Sequence, residues 1–351
     1  MKNSLIKLFK SPERNQVADL LKGIAVIFMI QVHITEKLLQ LKIQEETFGV
    51  ISLFLGGTPA APVFMFVMGY FLSAKKNLYY FLERGIILFL GGILLNIGLN
   101  FYYLILYFQN QIINENPLEY IFGVDILPFA GLSLIIIGLV KEFFGEKYYL
   151  YLSLAVIVAL LSEFIPQLNS DVNPWLRYVL SFVYGCSDWS YFPIFPWLFY
   201  PLVGFSFKLF SEKHSYRNRP IIFVPALIYL VVFAYDSFNQ IVVLENYYHH
   251  GIMLAMWNFS FMVIWVSLFE IIEKKIGNLL PIIYLKWIGK NVTVIYVFQW
   301  LIIGNLSAIF YDSQNETQFF IWFVIILVSV SILTYMYERN NKKKLEMRTN
   351  E

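Results

Sequence analysis

Ten apolar runs of roughly twenty residues, separated by short polar loops, leave this chain little choice but a bundle of membrane-spanning helices, because about twenty helical residues cover the hydrocarbon core of a bilayer. Inside lipid every backbone N–H and C=O must be satisfied within the segment, and for runs of this length only a helix does that. The predicted spans cover about 17–39, 48–73, 79–106, 121–140, 148–165, 192–210, 220–237, 251–272, 288–307 and 318–337. The fold class is therefore all-α, a polytopic integral protein of the cell membrane in contact with lipid. Only 14% of residues are charged, against about 25% in soluble domains. The net charge of +2 resides in loops and carries no nucleic-acid signal. The lone Cys186 forms no intrachain disulfide and belongs to no metal cluster, and no metal is expected. The first apolar run is too long, and too interrupted by charge at its start, for a cleavable signal peptide.

A basic segment at 1–16, with Lys2, Lys7, Lys10 and Arg14, precedes one transmembrane domain at 17–338, and a basic tail follows at 339–351. The segments 74–84, 141–147, 208–219 and 273–290 hold most of the remaining Lys and Arg, and the alternate loops are poor in them. The positive-inside rule then puts both termini and these segments in the cytoplasm. The aromatic stretch 174–191 is too short and broken to span, and reads as re-entrant or interfacial. No fixed-period repeat is evident, and no inverted pair of broken helices of the kind transporters use.

The first span carries the densest chemistry. From Asp19 to His33 it holds an acid, a base and an imidazole within an apolar run. Lys22 and His33 are eleven residues apart, about three turns, so they share one face at an axial separation of roughly 16 Å. Asp19 is placed to pair with Lys22. Such side chains are expensive in lipid and are expected to face a protein-lined or watery interior. His33 lies ten residues before the centre of the first outer loop, and Gly56-Gly57 about thirteen after it, so an antiparallel pair of helices brings them level. The break Gly56-Gly57-Thr58-Pro59, with Pro62, frees backbone N–H groups able to hold an oxyanion. A close contact of small residues between helices is the other reading. His33 itself is either an interhelical hydrogen-bonding histidine or a general base oriented by Glu36. Arg84 either snorkels to lipid phosphate or joins Lys22 in a clamp for an anionic cofactor. Asp125 caps its helix or binds substrate. His249 and His250 lie at the outer end of the eighth span. No GxSxG, Walker, zinc or Rossmann motif is present.

Several of these runs resemble a known family. Asp19-Leu20-Leu21-Lys22-Gly23-Ile24-Ala25, followed by His33, resembles the opening signature of multi-span membrane acyltransferases, with Lys22 where Arg is usual. The segment from Gly56 to Tyr70 resembles the second helix of the heparan-α-glucosaminide N-acetyltransferase-like branch, and the related acyltransferase-3 family shares the first pattern. Weaker matches are Gly123-Val124-Asp125-Ile126-Leu127, the Phe-Pro-x-Phe-Pro-Trp of 192–197, and 285–291 with Tyr296. Many relatives continue the last match to His-Trp, where this chain has Gln299-Trp300.

The resemblance implies transfer of an acyl group, expected to be acetyl, from cytoplasmic acetyl-CoA to a sugar hydroxyl or amine of a glycan or lipid-linked saccharide. In this reading His33, Glu36 and Asp125 carry the chemistry. Asp19, Lys22, Arg84, Gly56 and Gly57 meet the donor. Trp189, Trp197, His249, His250 and Trp300 meet the saccharide, within an outer face rich in aromatics (Trp175, Tyr191, Phe192). Direct base catalysis and an acyl-histidine relay both fit, and an oligomer is compatible with the sequence. A transporter or flippase of a small solute or lipid-linked sugar is the alternative, since buried charges and a broken helix serve it as well.

Overall fold

The computed structural model describes residues 15–72, 76–112, 115–165, 173–213 and 219–349. The predicted leader cations Lys2, Lys7, Lys10 and Arg14, and Lys75, His214 and Arg217 of the predicted basic loops, lie outside the described residues. The helices are α1 (Gln16–Leu38), α2 (Thr47–Gly56), α3 (Ala61–Phe71), α4 (Leu78–Leu99), α5 (Phe101–Phe108), α6 (Ile126–Phe144), α7 (Tyr148–Phe164) and α8 (Pro174–Val183). They continue with α9 (Phe199–Lys213), α10 (Arg219–Val232), α11 (Ala234–Ile241), α12 (Ile252–Ile276), α13 (Leu280–Lys290), α14 (Val292–Phe310) and α15 (Glu316–Thr349). Among the described residues eight spans are long and apolar enough to cross a membrane, with α2 and α3 forming one of them, and the α10–α11 pair, bent by 70°, makes a ninth. The 17-residue apolar helix α7 occupies the place of the remaining predicted span. The chain is thus an all-α, multi-pass membrane protein.

Local chemistry explains where the helices depart from the predicted runs. Asn100 leaves helical geometry (φ −99°, ψ 15°) and splits 79–106 into α4 and α5. Asn291 (φ −103°, ψ 21°) likewise divides α13 from α14. Asp125 caps α6, so that helix begins at Ile126 rather than near 121. In α8 ten residues cover only about 15 Å, half a hydrocarbon core.

Helix α1 is the centre of the bundle, packed against α2, α3, α12, α13, α14 and α15. Asn15 caps it by accepting from the Ala18 N–H at 3.1 Å. Two glycines let α1 and α13 touch backbone to backbone. A Cβ on Gly23 would lie 1.9 Å from the Leu285 carbonyl oxygen, and one on Gly289 would lie 1.8 Å from that of Asp19. The same device joins α3 to α9 through Gly69 and Gly204, as small residues do between membrane helices. Polar clamps then fix register. Gln31 Nε2 donates to the Ser52 carbonyl at 2.8 Å, and Thr35 and Ser52 hydroxyls pair at 2.5 Å, pinning α2 on α1 at positions that flank His33. The far end of α1 is tied to the segment before α15, where the Gln314 N–H donates to Leu38 O at 2.9 Å.

Candidate active site

The site begins at the helix break. After α2 the Gly57 N–H turns back to the carbonyls of Leu53 and Phe54, and the Ala60 N–H to that of Gly57. The Gly57 donor expected to face an oxyanion is therefore engaged within the helix end. Gly56 abuts Val32, where an added Cβ would meet the valine side chain at 2.1 Å, so it serves close helix approach. Both glycines nevertheless line a small cavity with His33, Glu36 and Asp125. Five of the residues singled out in the sequence, from three separate segments, thus meet at one point. The cavity is about 30 Å³, room for one or two waters.

Each wall of this cavity is held by identifiable contacts. Asp125 Oδ1 accepts from the Ile126 N–H at 2.7 Å, and Oδ2 accepts from the Tyr296 hydroxyl at 2.7 Å. The flanking backbone is stitched to the 189–192 segment: Val124 N–H donates to Trp189 O at 2.8 Å, and Phe192 N–H to Val124 O at 2.9 Å. That stitch sets Phe192 in the cavity wall, while Lys37 Nζ lies 6.0 Å from the ring centre of Tyr191. The His33 ring packs on Trp300 with centroids 3.9 Å apart, and its Nδ1 is 3.4 Å from Gln299 Nε2. Tyr296, Gln299 and Trp300 share one face of α14, since residues three and four apart on a helix are neighbours.

A second network supports the remaining wall. Thr58 donates to Asn258 Oδ1 at 2.5 Å, Asn258 Nδ2 to the Tyr200 oxygen at 2.7 Å, and Tyr200 lies 2.7 Å from His250 Nε2. His250 Nδ1 in turn is 2.7 Å from the carbonyl of Tyr247. A carbonyl only accepts, so Nδ1 carries the proton and Nε2 accepts from Tyr200. The chain is satisfied only with a neutral imidazole, and burial pulls His250 down to about 4. Trp197 donates from Nε1 to Tyr248 O at 2.8 Å. His250 and Trp197, both buried, therefore hold the Tyr247-Tyr248 turn, and both tyrosines line the cavity.

The other predicted residues lie elsewhere. His249 Nε2 bonds Ser190 O at 2.8 Å. Trp189 stacks on Tyr178 at 5.6 Å with the Arg177 guanidinium 5.0 Å from its ring centre. At the opposite end of α1, Lys22 Nζ pairs with Asp19 Oδ1 at 2.8 Å. Arg84 is exposed on α4, over the Tyr80 ring at 5.8 Å; α14 packs on both α1 and α4. A larger apolar cavity of about 340 Å³ lies at this end, walled by Leu21, Phe66, Tyr70, Phe207, Phe259 and Val263. Sequence reasoning assigned no role to Lys37, Thr58, Tyr200 or Asn258. The amide of Asn258 in the middle of an apolar span is a signal the sequence does offer, but it does not say which residues Asn258 meets.

The sequence profile of the family described as heparan-alpha-glucosaminide N-acetyltransferase, catalytic, matches residues 14–233. The match takes in His33, Glu36, Gly56, Gly57 and Asp125, while the α14 residues and His249-His250 lie beyond it. No individual curated protein matches the chain. A profile covering more than half of the sequence, on a multi-pass helical fold that brings His33 and the Gly56-Gly57 break to one cavity, establishes the relationship: this chain belongs to the heparan-α-glucosaminide N-acetyltransferase family of membrane acetyltransferases.

Proposed function

We propose that the protein moves an acetyl group from acetyl-CoA to a hydroxyl or amine of a glycan or lipid-linked saccharide, with His33 as the base. The observation that carries this reading is the meeting of His33, Glu36 and Asp125 on one cavity next to the broken span. The acceptor oxygen or nitrogen attacks the thioester carbonyl carbon, a C–O or C–N bond forms and the C–S bond breaks. His33 takes the acceptor's proton as CoA leaves as the thiolate, which is then protonated. Glu36 and Asp125 orient the acceptor, and would favour one presenting an ammonium or hydroxyl donor. An acetyl-histidine relay through the same nitrogen is the variant of this mechanism. The donor enters from the basic end of the bundle, which the charge pattern makes cytoplasmic. There Lys22 and Arg84 meet its phosphates, and the 340 Å³ apolar cavity accommodates its pantetheine arm. From Leu21, in that cavity wall, to His33 is about 18 Å along α1. Since the His33 cavity has room only for water, the Tyr247-Tyr248 turn and Phe192 must move outward for an acetyl thioester and a sugar to meet there.

The test is turnover of purified protein with labelled acetyl-CoA and glucosamine-terminated or hydroxyl-only saccharides. The reading predicts acceptor-dependent release of CoA and a labelled sugar. Folded protein that binds acetyl-CoA yet transfers nothing to either acceptor class would refute it and favour solute transport.

A further inference from the structure

We infer that Gln299 is a positioning residue that fixes the His33 tautomer and so decides which ring nitrogen faces the cavity as a lone pair. The inference rests on the reading of His33 as the base. Gln299 is fully buried, its Nε2 is 3.4 Å from His33 Nδ1, and its Oε1 is buried without a hydrogen-bond partner. Among the described residues it is the hydrogen-bonding partner of the His33 ring; the other close contact is the face of Trp300. In a neutral imidazole one nitrogen donates and the other accepts, and the partner of one sets the role of the other. With the amide NH2 toward Nδ1, that nitrogen is a bare acceptor and Nε2 carries the hydrogen, which makes His33 a donor. A half-turn of the amide brings the unpartnered Oε1 to Nδ1. The ring then holds its proton on Nδ1 and presents Nε2 as a lone pair, which is what a base needs.

Neither amide orientation is preferred by its own bookkeeping. Each makes one hydrogen bond to His33 and leaves two of the amide's hydrogen-bonding groups without one. What separates them is the protonated ring, in which Nδ1–H keeps a partner only when Oε1 faces it. When Nε2 takes the acceptor's proton, Nδ1–H remains bonded to Oε1 and the imidazolium stays held in place without a neighbouring carboxylate at that nitrogen. A side chain with an acceptor oxygen at this distance is the requirement; an apolar one of equal length fills the space and leaves the ring free to choose the wrong tautomer.

The experiment uses the full-length protein in nanodiscs with acetyl-CoA as donor and glucosamine as acceptor, and compares wild type, Gln299→Met, Gln299→Glu and His33→Ala. Histidine 15N spectra, with the His33 signals identified by their loss in His33→Ala, read the tautomer directly. Expected are a Nδ1-protonated His33 in wild type and in Gln299→Glu, with kcat largely kept in the latter. Gln299→Met is expected to lose its preference for that tautomer and to fall about 10- to 100-fold in kcat at unchanged KM for acetyl-CoA, the usual scale for a partner that orients a functional histidine. A wild-type His33 protonated on Nε2 would overturn the inference even if neither Gln299 variant folds. So would equal losses in Gln299→Met and Gln299→Glu, or full kcat in Gln299→Met. Turnover surviving in His33→Ala would instead remove the base reading on which this inference stands.

Discussion

Replacing Asn258 by Leu tests whether the buried chain from Thr58 to His250 holds the cavity wall. The substitution keeps the volume but deletes both amide groups. Thr58, fully buried, then loses the acceptor of its hydroxyl proton, and the Tyr200 oxygen loses the Asn258 N–H donor while still donating to His250. A buried polar group left without its partner costs about 1–3 kcal/mol. Two such groups give roughly 2–6 kcal/mol, with the lower half expected because Tyr200 keeps one of its bonds. Adding Thr58→Val removes the orphaned hydroxyl, so the double variant should recover about 1–2 kcal/mol of that loss, a coupling well above the few tenths expected for independent sites. Thermal unfolding in detergent across the four-member cycle measures this. Turnover should fall in Asn258→Leu as well, since the Tyr247-Tyr248 turn loses its anchor. Additive effects in the cycle, or an Asn258→Leu protein as stable as wild type, would refute the account of this network.

Three further expectations concern other parts of the molecule. The folded-state value of His250, about 4 against an ordinary 6.5, means the unfolded chain takes a proton first as pH falls, so stability is complete above 6.5 and is lost between 6.5 and 4, by up to roughly 3 kcal/mol; melting temperatures that do not decline across that window more steeply than those of His250→Gln would contradict it. Lys22→Ala and Arg84→Ala should each weaken acetyl-CoA binding measured by calorimetry, and unchanged affinity in both would leave Lys22 as a structural partner of Asp19. In a Cys186→Ser background, His249→Cys should react with an impermeant thiol reagent added from outside the cell, and labelling only after permeabilisation would invert the topology.

The sequence spoke clearly where physics acts locally. Apolar run length placed a helix at each of the ten expected runs, although among the described residues only eight, or nine with the bent α10–α11 pair, are long and apolar enough to span, and an antiparallel first pair was enough to bring His33 level with Gly56-Gly57. The breaks at Asn100 and Phe233 were hidden because apolar and aromatic residues continue on both sides of each. What the glycines do was also hidden. Their spacing is legible, but only the packed structure shows Gly57 N–H bonded to Leu53 and Phe54 and Gly56 pressed on Val32. His250 and Trp197 look like outer-face residues in the sequence because they flank a polar loop. The structure turns them inward, since each satisfies a backbone carbonyl of the Tyr247-Tyr248 turn. Contacts between residues two hundred positions apart, such as Thr58 with Asn258, leave no trace in a single chain's pattern.

The most direct test of the central claim is the turnover of His33→Ala. An acceptor must lose a proton as it attacks a thioester, and among the described residues His33 is the histidine that lines the cavity with Glu36 and Asp125. A positioned base contributes about 10²- to 10⁴-fold. The account predicts that His33→Ala folds, binds acetyl-CoA with near wild-type affinity and transfers acetyl at least a hundredfold more slowly, roughly the lower bound for such a group. A folded His33→Ala protein whose turnover is comparable to wild type would contradict it, leave His33 as an interhelical histidine, and move the search for the base to Glu36 or Asp125.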